Sequence, residues 1–303
     1  MTTLLRVVPP KPSLAARPIE PSVEPPFAPK LVEQTVGASA SSTAVGAQDS
    51  GGLWLSLTSY TRLIFGACVM GIGVFFFLIP LTLALPSRPL RIRISNVFGG
   101  IFGRFMFWCS GSSWSEEGYD EAVARGPAIW AMNHTSLLDI PMGIWFAPSG
   151  SVGVGKRQVI YYPFFGILYV LAGHLRIDRR QTRSAVAGMQ KLAQWVRDEK
   201  LSIFIWPEGT RSRDGRLQAM KKGVAHLAIQ TGLPIQPMAT AGMQKVWPKG
   251  PPRVRPGHVH VVCPAPIDTT GWSHETIDMH LAEIEEAFTD ALPADQRPLH
   301  PLR

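Results

Sequence analysis

Between Leu63 and Leu85, 23 consecutive residues carry no charge (LIFGACVMGIGVFFFLIPLTLAL), and no other feature constrains the chain as strongly. As a helix the run spans roughly 34 Å at about 1.5 Å per residue, against roughly 30 Å of bilayer hydrocarbon. Soluble cores rarely need such a stretch. Arg88, Arg91 and Arg93 follow with no acid among them, a bias that holds this end on the cytoplasmic side. A second apolar stretch, Ile94 to Cys109, carries one charge, Arg104, and several aromatics. Pro80, Pro86 and Pro89 predict a kink or turn between the two. A single span and a shallow helical hairpin in one leaflet both fit. The hairpin is the preferred reading, ahead of two buried helices of a soluble domain.

The residues before the run read as a tail. Residues 1 to 50 hold eight prolines, an Ala/Ser/Gly stretch and four basic residues that cancel four acidic ones. Such a segment buries too little apolar surface to offset its chain entropy and is expected to be disordered. No short apolar core follows Arg6, which excludes a secretory signal at this point. The formal net charge of +8 therefore belongs to the rest of the 303 residues, although only 17% of them are charged. A basic balance on a weakly charged, apolar chain suits an anionic membrane surface before nucleic acid. Three cysteines without a CxxC spacing exclude a disulfide scaffold or a cysteine-rich zinc module.

Beyond Tyr119, short apolar runs alternate with helical patterns. Strands are expected at 128–132, 152–155, 175–177, 201–206, 235–240 and 258–262. Helices are expected at 137–146, 164–171, 182–199, 222–230 and 274–292. The alternation predicts an α/β domain, a largely parallel sheet flanked by helices, behind an N-terminal membrane-associated helical segment. The expected divisions are a tail at 1–52, a membrane-embedded helical segment or hairpin at 53–110 and the α/β domain at 111–303. In such sheets working residues gather beyond the carboxyl ends of the strands.

Two motifs stand at those places. Asn133-His134-Thr135-Ser136-Leu137-Leu138-Asp139 follows the 128–132 strand, and a His with an Asp five residues on can face each other across the turn. A carboxylate on one imidazole nitrogen fixes the tautomer and leaves the other to accept a proton. Taken alone, Asp139 also fits a helix N-terminal acid favoured by the macrodipole, and His134 an ordinary turn histidine. Trp206-Pro207-Glu208-Gly209-Thr210-Arg211-Ser212 follows the 201–206 strand and projects Glu, Thr and Arg from a sharp turn. An arginine fork suits a phosphate, although an exposed basic loop is often only solvated surface. A third stretch, Lys156-Arg157-Gln158-Val159-Ile160-Tyr161-Tyr162-Pro163-Phe164-Phe165-Gly166 and then Gly173-His174-Leu175-Arg176-Ile177-Asp178-Arg179, sets cations beside an aromatic wall. It fits a headgroup with its acyl chain, or ordinary core.

These residues resemble the motifs of the glycerolipid acyltransferases. NHTSLLD is similar to their His-x4-Asp motif, WPEGTRS to their Phe-Pro-Glu-Gly-Thr-Arg-Ser block, and KRQVIYYPFFG with GHLRIDR to the block between. Gly232-Leu233-Pro234-Ile235-Gln236-Pro237 resembles their fourth, apolar-proline block. The order is right, the likeness covers about residues 95 to 265, and within the family the chain looks like the bacterial 1-acyl-sn-glycerol-3-phosphate acyltransferases. Two departures stand out: Trp206 replaces the usual Phe, and Gln236 puts a polar group into a strand that is usually apolar there, where it needs a partner.

The resemblance implies acyl transfer from a fatty acyl thioester to the sn-2 hydroxyl of lysophosphatidic acid, giving phosphatidic acid. His134 and Asp139 would be catalytic, with Glu208, Gly209, Thr210 and Arg211 forming the acceptor site and Arg211 and Lys156 meeting the phosphate. Turn amides near Gly209 are candidate oxyanion donors. No metal or bound cofactor is implied; the donor substrate is acyl-coenzyme A or acyl-acyl carrier protein. The expected surroundings are anionic lipid at the inner (plasma) membrane, with the catalytic domain on the cytoplasmic side and acyl carrier protein as a candidate partner. The alternatives are another lysolipid acceptor, such as an acyl-amino-acid lipid, or a non-catalytic lipid-binding protein. Nucleic-acid binding is disfavoured by the apolar run. Gly150 to Lys156 mimics a phosphate loop but puts Arg157 where Ser or Thr is needed. His258 and His260 share one strand face without a ligand cluster, Ser136 and Ser212 lack a nucleophile elbow, and Cys109 reads as buried apolar.

Overall fold

A computed structural model of the chain describes residues 48–162, 165–177, 182–250 and 253–302. The tail reading for 1–47 lies outside them, and so do Pro163, Phe164, Asp178 and Arg179 of the aromatic block. The chain opens on two helices, α1 (Gln48–Leu83) and α2 (Arg88–Cys109). α1 thus begins before the boundary expected at residue 53. Pro80 lies inside it, and the reversal comes at 84–87. Ser87 then caps α2 through a bond from Leu90 N–H, and Pro89 falls in its first turn, where a missing N–H costs nothing.

The remaining elements alternate in order: β1 (Ser113–Glu117), α3 (Tyr119–Ala124), β2 (Ile129–Met132), α4 (Asp139–Phe146), β3 (Ser151–Lys156), α5 (Phe165–Ala172), β4 (Leu175–Ile177), α6 (Thr182–Asp198), β5 (Ser202–Ile205), α7 (Gly223–Thr231), β6 (Ile235–Ala241), α8 (Met243–Val246), β7 (His258–Val262) and α9 (Ile277–Ala291). The seven strands lie in the order β1-β7-β6-β2-β5-β3-β4. Every neighbouring pair is parallel except β6 with β7. β1, α3 and α8 went unpredicted: Ser-Trp-Ser-Glu-Glu has no apolar alternation and forms an edge strand paired only with β7.

The period of two in a strand sorts the core. Ile129 and Ala131 of β2 pack with α6, α7 and α9 on one face, whereas Trp130 and Met132 pack with α4 and α8 on the other. Gln236, the polar departure on β6, is 1% exposed and donates from Nε2 to the carbonyls of Pro237 and Pro264, which supplies the partner its burial demands.

α2 belongs to this body. Gly99 and Gly103 face α4 so closely that a Cβ would stand 2.0 Å from Ile144 Cγ2 and 2.1 Å from the Pro141 carbonyl oxygen. At its other end Asn96 bonds the Gly150–Ser151 backbone, while Arg88 and Arg91 donate to the carbonyls of Gly173 and Leu171. α1 lies antiparallel along α2: Arg62 reaches the Ser110 carbonyl, Phe77 meets Phe98 edge-on at 4.7 Å, and Leu81 is fully buried. The outward side of this hairpin stays apolar and exposed, with Ile72, Phe75, Phe76 and Leu83 on α1 and Ile101 and Trp108 on α2. The stretch Tyr60–Leu83 is long and apolar enough to cross a membrane.

Candidate active site

Register builds the site. Ala131 of β2 pairs with Ile205 of β5, so counting three residues onward from each brings His134 level with Glu208, just past the carboxyl ends of two central parallel strands. The two motifs then interlock through their backbones. Glu208 Oε1 accepts from His134 N–H at 2.6 Å, and Ser212 N–H donates to the His134 carbonyl at 2.7 Å. Asn133, one residue earlier, ties the same loop to β6 by receiving Thr240 N–H at 2.7 Å and donating to the Thr240 carbonyl at 3.0 Å.

Asp139 opens α4 and is fully buried. Its Oδ2 takes His134 Nδ1 at 2.9 Å and the backbone N–H groups of Thr135 and Ser136 at 2.5 and 2.7 Å. An acceptor-only carboxylate requires the proton on Nδ1, which leaves Nε2 of the imidazole as the basic nitrogen. The His134 side chain keeps 13% of its surface exposed. Trp206 lies beside it, ring centres 5.4 Å apart and tilted by 34°. Its larger indole is accommodated because residue 143 on α4 is glycine, where a Cβ would come within 2.8 Å of Trp206 Cζ2.

Glu208 is 1% exposed, and its second oxygen accepts Gln218 N–H at 3.2 Å. Burial pushes its carboxyl up to about 8, against the pull of those two amide donors. Both oxygens therefore hold backbone. Gly209 takes the left-handed conformation (φ 72°) that the turn requires, and its N–H closes that turn on the Trp206 carbonyl at 3.0 Å. That amide is committed to the turn itself.

Beyond the turn opens a cleft of about 520 Å³ lined by Thr210, Arg211, Arg213, Asp214, Gln218 and Lys249. Thr210 and Arg211 both line it. Lys156 instead ends β3, exposed and outside this lining. Lys249 escaped the sequence reading. Its signal was its place after β6, a strand parallel to β2 whose carboxyl end faces the same way. His258 and His260 bond Ser113 and Ser115, and no group of three His, Cys, Asp or Glu among the described residues could hold a metal.

Fold and site together define an acyltransferase: a doubly covered, mostly parallel sheet presents a carboxylate-held imidazole beside a basic cleft. The Acyltransferase family model matches residues 115–241. A 1-acyl-sn-glycerol-3-phosphate acyltransferase of Limnanthes douglasii is 38% identical over 84% of this chain and 90% of its own length. Proteins of the same name from Cocos nucifera and Haemophilus influenzae are 42% and 31% identical over 71% and 52% of this chain, and over 69% and 70% of their own lengths. The crystal structure of the 1-acyl-sn-glycerophosphate (LPA) acyltransferase PlsC from Thermotoga maritima superposes with a TM-score of 0.64 at 23% identity, over 80% of this chain and 94% of that one. The chain belongs to the 1-acyl-sn-glycerol-3-phosphate acyltransferase family.

Proposed function

We propose that the chain transfers a fatty acyl group from a thioester to the sn-2 hydroxyl of lysophosphatidic acid, yielding phosphatidic acid and a free thiol. The observation that carries this reading is His134 held through Nδ1 by Asp139 at 2.9 Å, one turn from a cleft containing Arg211. His134 Nε2 takes the hydroxyl proton as the oxygen attacks the thioester carbonyl, and Asp139 stabilises the imidazolium that forms. Collapse of the tetrahedral intermediate breaks the C–S bond, and the imidazolium returns its proton to the departing thiolate. A thioester already carries a good leaving group, so no acyl-enzyme is required. Glu208 acts by fixing the backbone of His134, while Arg211 and, from the neighbouring strand end, Lys156 draw the phosphate.

The donor is acyl-coenzyme A or acyl-acyl carrier protein, and no metal enters the chemistry. The α1–α2 hairpin seats the enzyme in the cytoplasmic leaflet of the inner membrane, where its basic balance favours anionic lipid. A long-chain acceptor then reaches His134 sideways, without the roughly 0.8 kcal/mol per methylene that extraction would cost.

The test is purified protein with one labelled acyl thioester and a panel of lysolipids. His134→Ala is expected to lower turnover on the order of 10² or more, and Arg211→Ala to raise the KM for lysophosphatidic acid. Undiminished turnover in His134→Ala retires the mechanism. Preference for a phosphate-free lysolipid retires the acceptor.

A further inference from the structure

We infer that Lys249, in the loop after α8, is a third cation on the acceptor's phosphate, beside Arg211 and Lys156, carried by a segment that also contacts the catalytic loop. The inference rests on the acceptor proposed above. Lys249 Nζ donates to the Arg211 carbonyl at 2.7 Å, so the ammonium lies against the backbone of the arginine it would assist. An ammonium carries three donors, and this one lines the same cleft as the arginine.

The loop is keyed to the chemistry from its other side. Two residues before Lys249, the Trp247 carbonyl receives Ser136 Oγ–H at 2.8 Å. Ser136 in turn gives its N–H to Asp139, the carboxylate on His134. One short segment therefore touches both the His-x4-Asp loop and the arginine turn. Ser212, adjacent to Arg211, is itself bonded to the His134 carbonyl at 2.7 Å. A phosphate in this cleft thus stands close to the imidazole, as the acceptor demands, because only a few covalent bonds separate its sn-2 hydroxyl from its phosphorus. The phosphates of coenzyme A lie a long pantetheine arm away from the thioester.

The charges agree. Arg211, Arg213 and Lys249 set three cations against the single carboxylate of Asp214. That carboxylate is turned onto Ser212 Oγ–H and Arg216 N–H, at 2.8 and 3.2 Å.

Lys249→Met keeps the aliphatic stem and removes only the ammonium. It is expected to raise the KM for lysophosphatidic acid about tenfold or more, as loss of a charge-assisted bond does, with kcat changed less than about twofold. The KM for a phosphate-free acceptor, 1-acylglycerol, and for the acyl thioester should stay within about threefold, and Lys249→Arg should recover most of the loss. Thermal unfolding midpoints of each variant show that the folded protein is being compared. An unchanged KM for lysophosphatidic acid overturns the assignment, as does an equal rise for both acceptors or a rise for the thioester. Failure of the underlying reading looks different: the wild type transfers no acyl group to lysophosphatidic acid, or His134→Ala retains turnover.

Discussion

Glu208 shows how a residue can be plain in the sequence and its task hidden. Its place after a strand was legible, but its task depends on a register that aligns it with His134 across two strands. The same holds for Gly209, whose amide closes its own turn, and for Lys249, which has meaning only once three loops meet. His134 and Asp139 were legible because five residues of local chain suffice to bring them together. Burial lifts the Glu208 carboxyl from its ordinary 4.5 to about 8, so between those values the folded protein binds the extra proton. The stability this contributes is full below about 4.5 and is lost as pH rises through about 8. Unfolding midpoints of the wild type should therefore fall across pH 5 to 9, and Glu208→Gln should show a shallower fall. Parallel slopes in the two proteins would dispose of this account.

At the scale of elements, apolar period and turn chemistry located six strands and five helices of the α/β domain within a few residues. β1 escaped because its polar residues face outward and its pairing with β7 is distant in sequence. The contact of α2 with α4 was equally invisible, since nothing local says why Gly99 and Gly103 are glycines. At residue 103 the obstacle is backbone, the Pro141 carbonyl at 2.1 Å, and it has little room to give. Gly103→Ala should destabilise by about 1–3 kcal/mol through overpacking, despite alanine's better helix propensity. Gly100→Ala, on the same helix with nothing within 4 Å of the new methyl, should be neutral or stabilising by up to about 1 kcal/mol. Unfolding midpoints of the pair check the contrast, and equal effects at both positions would contradict it.

For the whole molecule, the uncharged run forms a helix long and apolar enough to cross a membrane, and the structure lays that helix along α2, which packs on the α/β body. The exposed apolar side of the hairpin should carry most of the affinity for lipid. Phe75 and Phe76 are 67% and 63% exposed, and transferring each ring from water contributes about 1.5–3 kcal/mol. Replacing both with serine should weaken binding to anionic vesicles by about tenfold or more per ring in a co-sedimentation assay, while sparing turnover on a short-chain, water-soluble acceptor. Unchanged sedimentation would locate the lipid contact elsewhere.

The seam between α2 and α4 has a mechanical outcome. Because α2 packs directly on α4, a hairpin seated in lipid as proposed would set the depth at which the site works. Bilayer thickness, by tilting the one, would re-aim the other.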